Sequence, residues 1–325
     1  MSLRAYVLRR ISYSIPTIFL VIIFNFVLIH AAPGDPVIYL YGHLDVTGQQ
    51  IEIIREAMGL RKPLYEQFFI YLSRILRGDL GYSFYFRQPV AELFAQKLPA
   101  TLLLMCASLL PSIVIGIVLG VTASRHARSR IDYLISGSAM YGYSFPVFWG
   151  GMVAIVVFSV WLGWLPAMGM TTLTVAEEKV GLDYVVDVLR HLVLPATVLG
   201  TWYLASYVRF TRASMLEVLE KDYIVTARSK GLEDRQIYYG HALKNALLPV
   251  LTVIGLEIGM IFTGAVITET VFAWPGMGSL LNAGIVSRDY TLLMGGFLIT
   301  SMCVISANLV TDCVYAILDP RISYR

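Results

Sequence analysis

Residues 219–249 read LEKDYIVTARSKGLEDRQIYYGHALKNALLP, the longest strongly charged stretch in a chain that is otherwise mostly apolar. Apolar runs long enough to cross a bilayer lie on both sides of this stretch, which we call the docking segment. Its composition predicts a short helix that Asp222 caps and Gly231 ends. A second helix is predicted from Glu233 to Asn245, stopping near Pro249. The docking segment is therefore expected to lie in the cytoplasm between two membrane spans.

One face of the first predicted helix carries Tyr223, Ile224 and Ala227, and Arg228 and Lys230 flank that face. An apolar face with basic neighbours suits insertion into a groove on another protein. An amphipathic linker on the membrane surface has the same pattern, because lipid headgroups also favour Lys and Arg. The residues alone leave both interpretations open.

Hydrophobic residues make up 57% of the 325 residues and charged residues only 14%, whereas soluble domains are usually about a quarter charged. The composition therefore predicts an all-α integral membrane protein whose partner is the lipid bilayer. The formal charge of +3 follows from the basic loops and requires no nucleic acid. The runs predicted as six transmembrane helices are 11–31, 98–123, 133–163, 191–208, 246–268 and 290–316.

Basic residues predict the orientation, because short cytoplasmic loops carry an excess of Lys and Arg. They cluster before the first span, at 125–130, across 209–244 and at the chain's end, which places both termini in the cytoplasm of a multi-pass cell-membrane protein. Helical periodicity predicts amphipathic helices at 49–60 and 64–77 in a long outer loop. The predicted parts are 1–31 (terminus and first helix), 32–97 (outer loop), 98–316 (five-helix core with the coupling loop 209–245) and 317–325 (tail).

Polar groups within predicted spans are candidates for the lining of a pathway. Pro146 is expected to kink or break the third span, which makes Tyr141, Ser144 and Phe145 candidates where freed carbonyls need water or protein. Glu257 is a lone carboxylate near the centre of the fifth span, and Asn308 lies in the last. A simple packing kink at Pro146 and a polar lock between helices at Glu257 are the alternatives.

The chemistry of an enzyme is missing from the sequence. None of the six Lys residues follows a Gly, so no phosphate-binding loop of the G-x-x-x-x-G-K-[ST] type occurs. The five His residues and three Cys residues lack metal-ligand spacing. We predict no catalytic residue, no metal and no cofactor bound by this chain, and no ATPase activity of its own.

The docking segment resembles the cytoplasmic "EAA" loop of ATP-binding-cassette (ABC) import permeases of the dipeptide, oligopeptide and nickel family. The similarity rests on Thr226–Arg228 with Gly231, followed by His241–Pro249. Val225 stands where that motif usually has Glu, and Lys244 where it often has Pro. Further phrases similar to the family are found at 58–67, 77–83 and 269–280.

This resemblance implies a type I ABC importer permease fold and a transmembrane subunit that forms a translocation pathway. It implies peptides as cargo, with oligosaccharides or nickel chelates as the alternative. The implied partners are a second homologous permease, two cytoplasmic ATP-binding subunits that hold ATP and Mg²⁺, and an outer solute-binding protein. The residues then implied to couple to the ATPases are Asp222, Tyr223, Ile224, Thr226, Ala227, Arg228, Lys230, Gly231 and Leu232. An ion-coupled carrier and a non-transporting scaffold are rival classes.

Overall fold

The computed structural model describes residues 3–31, 48–57, 59–172, 181–261 and 265–318, which are mostly helical. Part of the predicted outer loop (32–47 and 58) and most of the predicted tail (319–325) lie outside these described residues. The elements in chain order are α1 (Leu3–Ala31), α2 (Gly48–Ala57), α3 (Leu64–Leu76), β1 (Tyr82–Ser83), β2 (Gln88–Pro89), α4 (Val90–Arg125), α5 (Arg130–Ser144), α6 (Val147–Ala154), a π-helical turn (Ile155–Trp161), α7 (Leu182–Leu219), α8 (Asp222–Ser229), a second π-helical turn (Gln236–Ala242), α9 (Leu243–Met260), α10 (Val266–Val271), α11 (Met277–Val286) and α12 (Tyr290–Leu318).

Within the described residues, three helices are long and apolar enough to cross a membrane: Val90–Arg125, Gln236–Met260 and Tyr290–Thr311. A fourth candidate is the bent pair of α5 with the helix Val147–Trp161. This confirms an α-helical membrane architecture. A count of six spans stays a prediction.

Pro146 breaks the third predicted span, as its sequence indicates. The helix α5 ends at Ser144, the backbone of Phe145 is extended (φ −84°, ψ 134°), and Pro146 precedes the first residue of α6. The two helices meet at an angle of 97°. Proline lacks the amide hydrogen that a continuous helix needs, and its ring pushes the preceding residue out of helical geometry.

Two predicted helix limits are wrong. The helix after the docking segment passes through Pro249 to Met260, because apolar residues beyond a proline still need helical hydrogen bonds in lipid. The fourth predicted span, 191–208, is the middle of α7 (Leu182–Leu219). Hydropathy marks only its apolar part, while polar contacts such as Thr172 Oγ1 donating to Asp187 Oδ1 at 2.8 Å anchor its first turns.

One compact unit comprises Met1–Pro99 and Gly276–Arg325. Within it, α1 packs along α12, and the predicted outer helices appear as α2 and α3. The strands β1 and β2 pair antiparallel, with Ser83 opposite Gln88. Ser83 Oγ donates to the buried Asp289 Oδ2 at 2.6 Å, and Asp289 Oδ1 accepts from the amide of Leu292 at 3.0 Å. Asp289 thus fixes the hairpin to the start of α12.

The second unit comprises Ala100–Pro275, and its helices α4 and α7 approach closely. A Cβ atom added to Gly116 would lie 2.5 Å from Tyr207 Cβ, and one added to Gly120 would lie 2.5 Å from Thr211 Cβ. Ser112 Oγ donates to the carbonyl of Gly200 at 2.8 Å on the same seam. Small residues four apart therefore give this helix pair its short separation, as they do in many membrane helices.

Candidate functional site

The docking helix α8 has the predicted length but a different start. Lys221 is the N-cap residue, in extended geometry and without a side-chain cap hydrogen bond, so the predicted cap at Asp222 is wrong. Asp222 is instead the first helical residue, where the helix dipole still stabilises its negative charge. Gly231 follows the end of α8 in the left-handed region (φ +77°), and its amide donates to the Arg228 carbonyl at 2.9 Å. The predicted role of Gly231 is confirmed.

The apolar face of α8 is turned into its own chain. Ile224 is 0% exposed and Ala227 is 7% exposed. Both belong to a buried cluster that includes Met215 of α7 and Ile237 of the second π-helical turn. The prediction that this face enters a partner's groove is therefore wrong. An i, i+3 apolar pair predicts burial but does not reveal which protein provides the covering surface.

The face of α8 that remains open carries a different set of residues. Val225 is 56% exposed, and Asp222, Thr226 and Ser229 are exposed on the same side of the helix. Tyr223 is also exposed, but its hydroxyl accepts a hydrogen bond from Asn245 Nδ2 at 2.9 Å. The surface free to meet a partner is thus centred on Val225. Arg228 and Lys230 are exposed at its edge, and Leu232 is half-buried beyond Gly231.

The buried face joins α8 to the two long helices beside it. Ala242 and Ala246 of the helix that follows are 0% exposed in the same cluster. Ser214 Oγ of α7 donates to the Ala246 carbonyl at 2.8 Å. The same buried cluster therefore connects α8 to the adjoining ends of α7 and α9.

An ion pair between a buried Asp and a partly exposed Arg lies near this region, and sequence reasoning missed it. Arg212 of α7 donates from Nε and Nη2 to the two carboxylate oxygens of Asp132, at 2.6 and 2.7 Å. Asp132 is 2% exposed and also accepts from Ser136 Oγ at 3.1 Å. The one sequence signal was an acidic residue immediately before the third predicted span. Its partner is 80 residues away, beyond any local pattern.

We expect Arg212→Gln to lower the free energy of unfolding by about 3 kcal/mol, because Asp132 is left buried without its charge partner. Thermal unfolding of the purified complex measures this. Arg130→Gln, an exposed Arg on α5, is the matched control and is expected to change stability by less than about 0.5 kcal/mol. Equal melting temperatures for the two variants would contradict the role of the pair.

The aromatic pathway candidates lie along the broken span. The rings of Tyr141 and Phe145 meet edge to face at 4.6 Å, and Phe145 stacks on Trp149 at 4.7 Å. Tyr141 is 68% exposed in this chain. Ser144 Oγ donates to the Met140 carbonyl at 2.8 Å, so this hydroxyl is hydrogen-bonded within its own helix. The structure brings Tyr141 and Phe145 into one aromatic row.

The two remaining pathway candidates lie in different units. Glu257 is half-buried on α9 within the second unit. Asn308 lies on α12 within the first unit, where it lines a groove of about 170 Å³ together with Arg10 and Tyr13 of α1. Of the described residues, no group of three or more His, Cys, Asp or Glu side chains has the geometry to hold a metal ion.

Comparison with known proteins identifies the family. Residues 112–324 match the binding-protein-dependent transport system inner membrane component family, and residues 3–105 match the N-terminal region of such components. The di/tripeptide transport system permease protein DppB of Pseudomonas aeruginosa is 41% identical over 333 residues, covering 99% of each chain. The dipeptide permease protein DppB of Escherichia coli K12 is 38% identical (98% of this chain, 99% of that protein), and the oligopeptide permease protein AppB of Bacillus subtilis is 40% identical with the same coverage. The chain belongs to the family of inner membrane permease components of binding-protein-dependent ABC transport systems.

Proposed function

We propose that this chain is a transmembrane subunit of an ATP-driven importer and forms part of the pathway for di- and oligopeptides. The observation that carries the proposal is the similarity, over nearly the whole chain, to three permeases whose names specify di/tripeptide, dipeptide and oligopeptide transport. Oligosaccharides or nickel chelates are the alternative cargo within the same machinery.

The proposed architecture is a type I importer permease with six transmembrane helices and both termini in the cytoplasm. Family membership supports a solute-binding protein outside and ATP-binding subunits inside. Since the chain has no phosphate-binding loop, ATP and Mg²⁺ would be held by two partner ATPases. A second, homologous permease subunit would complete the pathway.

In this proposal, energy reaches the pathway mechanically through the docking helix α8. The face centred on Val225 binds a groove on an ATPase, and the face with Ile224 and Ala227 passes the motion to α7 and α9. The coupling residues are those predicted from the sequence, Asp222 to Ile224, Thr226 to Arg228 and Lys230 to Leu232, with Val225 added. Closure of the ATPases then shifts the permease between inward-open and outward-open states.

The pathway in this proposal is lined by Tyr141, Ser144, Phe145, Glu257 and Asn308. The open aromatic row at the broken span supports the first three, because irregular backbone at membrane depth is tolerated beside a water-filled cavity. Glu257 is supported by its position within a candidate span. Asn308 is supported only by a polar group in the last span.

Reconstitution of the complete complex in proteoliposomes tests the function. Uptake of a labelled dipeptide is expected only when ATP and the loaded solute-binding protein are both present. Uptake driven by a pH or sodium gradient without ATP would instead support an ion-coupled carrier that uses Glu257 and Asp312, the latter an acidic residue in the last predicted span. Association with the ATPases without any uptake would support a scaffold.

A further inference from the structure

Glu257 is a carboxylate within the apolar helix α9. It is half-buried, and of the residues that the structure describes, none forms a hydrogen bond or ion pair with its carboxylate. It stands about 20 Å along the helix from Leu243, at 1.5 Å per residue. A carboxylate at membrane depth is costly and is usually retained to meet a cation, a proton or water.

The side of α9 that carries Glu257 faces two tyrosines of α7. Val250 and Ile254 share this face at helical spacing with Glu257, and both pack in the buried cluster that contains Tyr203 and Tyr207. Glu257 therefore lies on the face of α9 whose apolar residues share a buried cluster with Tyr203 and Tyr207 of α7, within the second unit.

Tyr207 supplies an independent sign that this site takes a ligand. Its side chain is 0% exposed, and its hydroxyl has no hydrogen-bond partner in the described part of the chain. A buried hydroxyl without a partner is destabilising, because it has lost its hydrogen bonds to water. A primary ammonium has three hydrogens to donate, while carboxylate and phenol oxygens accept. A primary ammonium that pairs with the Glu257 carboxylate therefore has a further hydrogen to donate to the Tyr207 hydroxyl oxygen.

We propose that Glu257, with Tyr203 and Tyr207, binds the primary ammonium at the amino terminus of a peptide during its passage. This inference rests on the proposed function, because it names the part of the cargo that the site recognises. It makes Glu257 a specificity-determining residue and the two tyrosines its positioning and hydrogen-bonding partners.

Labelling with a hydrophobic carbodiimide tests the site on the assembled complex without the solute-binding protein. Mass spectrometry measures modification of the fragment that contains Glu257. Alanyl-alanine is expected to slow this modification at least threefold, and N-acetyl-alanyl-alanine is expected to leave it unchanged. Tyr207→Phe should weaken the protection. Equal labelling with both peptides overturns the inference.

Uptake by the reconstituted importer gives the second test, at equal occupancy of the solute-binding protein. Glu257→Gln is expected to lower alanyl-alanine uptake about tenfold, as for loss of one charge-assisted hydrogen bond, and Glu257→Asp to restore part of it. Unchanged uptake in the Gln variant overturns the inference, and so does an equal loss in the Gln and Asp variants, which indicates a packing lock. If wild-type complex imports no peptide at all, the proposed function fails instead.

Discussion

Val225→Asp is expected to reduce ATP-dependent uptake about thirtyfold while the permease stays folded in the membrane. Val225 is 56% exposed in this chain, so the substitution removes little internal packing. Permeases of this family usually have Glu at this motif position, but in the proposed complex the ATPase groove faces the apolar Val225 of this chain. A carboxylate placed there therefore loses its hydration without gaining a partner. A penalty of about 2 kcal/mol corresponds to that thirtyfold loss. The measurement is dipeptide uptake into proteoliposomes, together with the amount of ATPase that copurifies.

Ala127→Asp is the matched control, because it places the same charge on an exposed residue of the turn between α4 and α5. It is expected to transport at close to the wild-type rate. Ala227→Asp differs from both, since Ala227 is buried in its own chain and the charge should destabilise the permease itself. If Val225→Asp keeps full uptake and full ATPase association, the exposed face of α8 is not the docking surface.

Gly120→Ala is expected to destabilise the permease by about 2–3 kcal/mol, although it adds a single methyl group. The new Cβ would lie 2.5 Å from Thr211 Cβ and 3.0 Å from the backbone carbonyl oxygen of Val208. Neither neighbour is the free end of a flexible side chain, so α4 and α7 have to separate. Thermal unfolding of the purified complex in nanodiscs measures the change.

Gly137→Ala makes the identical change on α5, where none of the described residues has an atom within 4 Å of the added one. Alanine has a higher helix propensity than glycine by about 1 kcal/mol, so this control is expected to be neutral or slightly stabilising. If both variants melt at the same temperature, or Gly120→Ala melts higher, then the close seam between α4 and α7 does not contribute as described.

Much of the helical architecture could be predicted from the sequence because bilayer physics constrains it strongly. Apolar length predicted the helices around Val90–Arg125 and Tyr290–Leu318, and the chemistry of proline predicted the break at Pro146. The helix limits were less predictable. Hydropathy is insensitive to helices that continue through polar turns, as α7 does at both ends, and proline rules from soluble proteins mislead at Pro249, where lipid favours a continuous helix.

The candidate site was predictable in location but not in orientation. Charge and helix signals located α8, and Gly231 ends it as expected. The sequence did not reveal that Ile224 and Ala227 are covered by Met215 and Ile237 of the same chain, because amphipathic periodicity is the same for an internal and an external partner. The pair of Asp132 and Arg212 was missed for a related reason, since contacts between distant segments leave no local pattern.

Site-directed cross-linking between α8 and the ATP-binding subunits tests the central claim most directly. Single Cys residues at Val225 or Ser229, in a chain whose native Cys residues are replaced by Ser, are expected to form disulfides with Cys residues placed in the ATPase groove. A Cys at Ala127 is expected to form none. The yield at Val225 and Ser229 should also change when ATP is added, because the ATP-binding subunits then move the docking helix. Efficient cross-linking at Ala127 with none at Val225 or Ser229 would contradict the account.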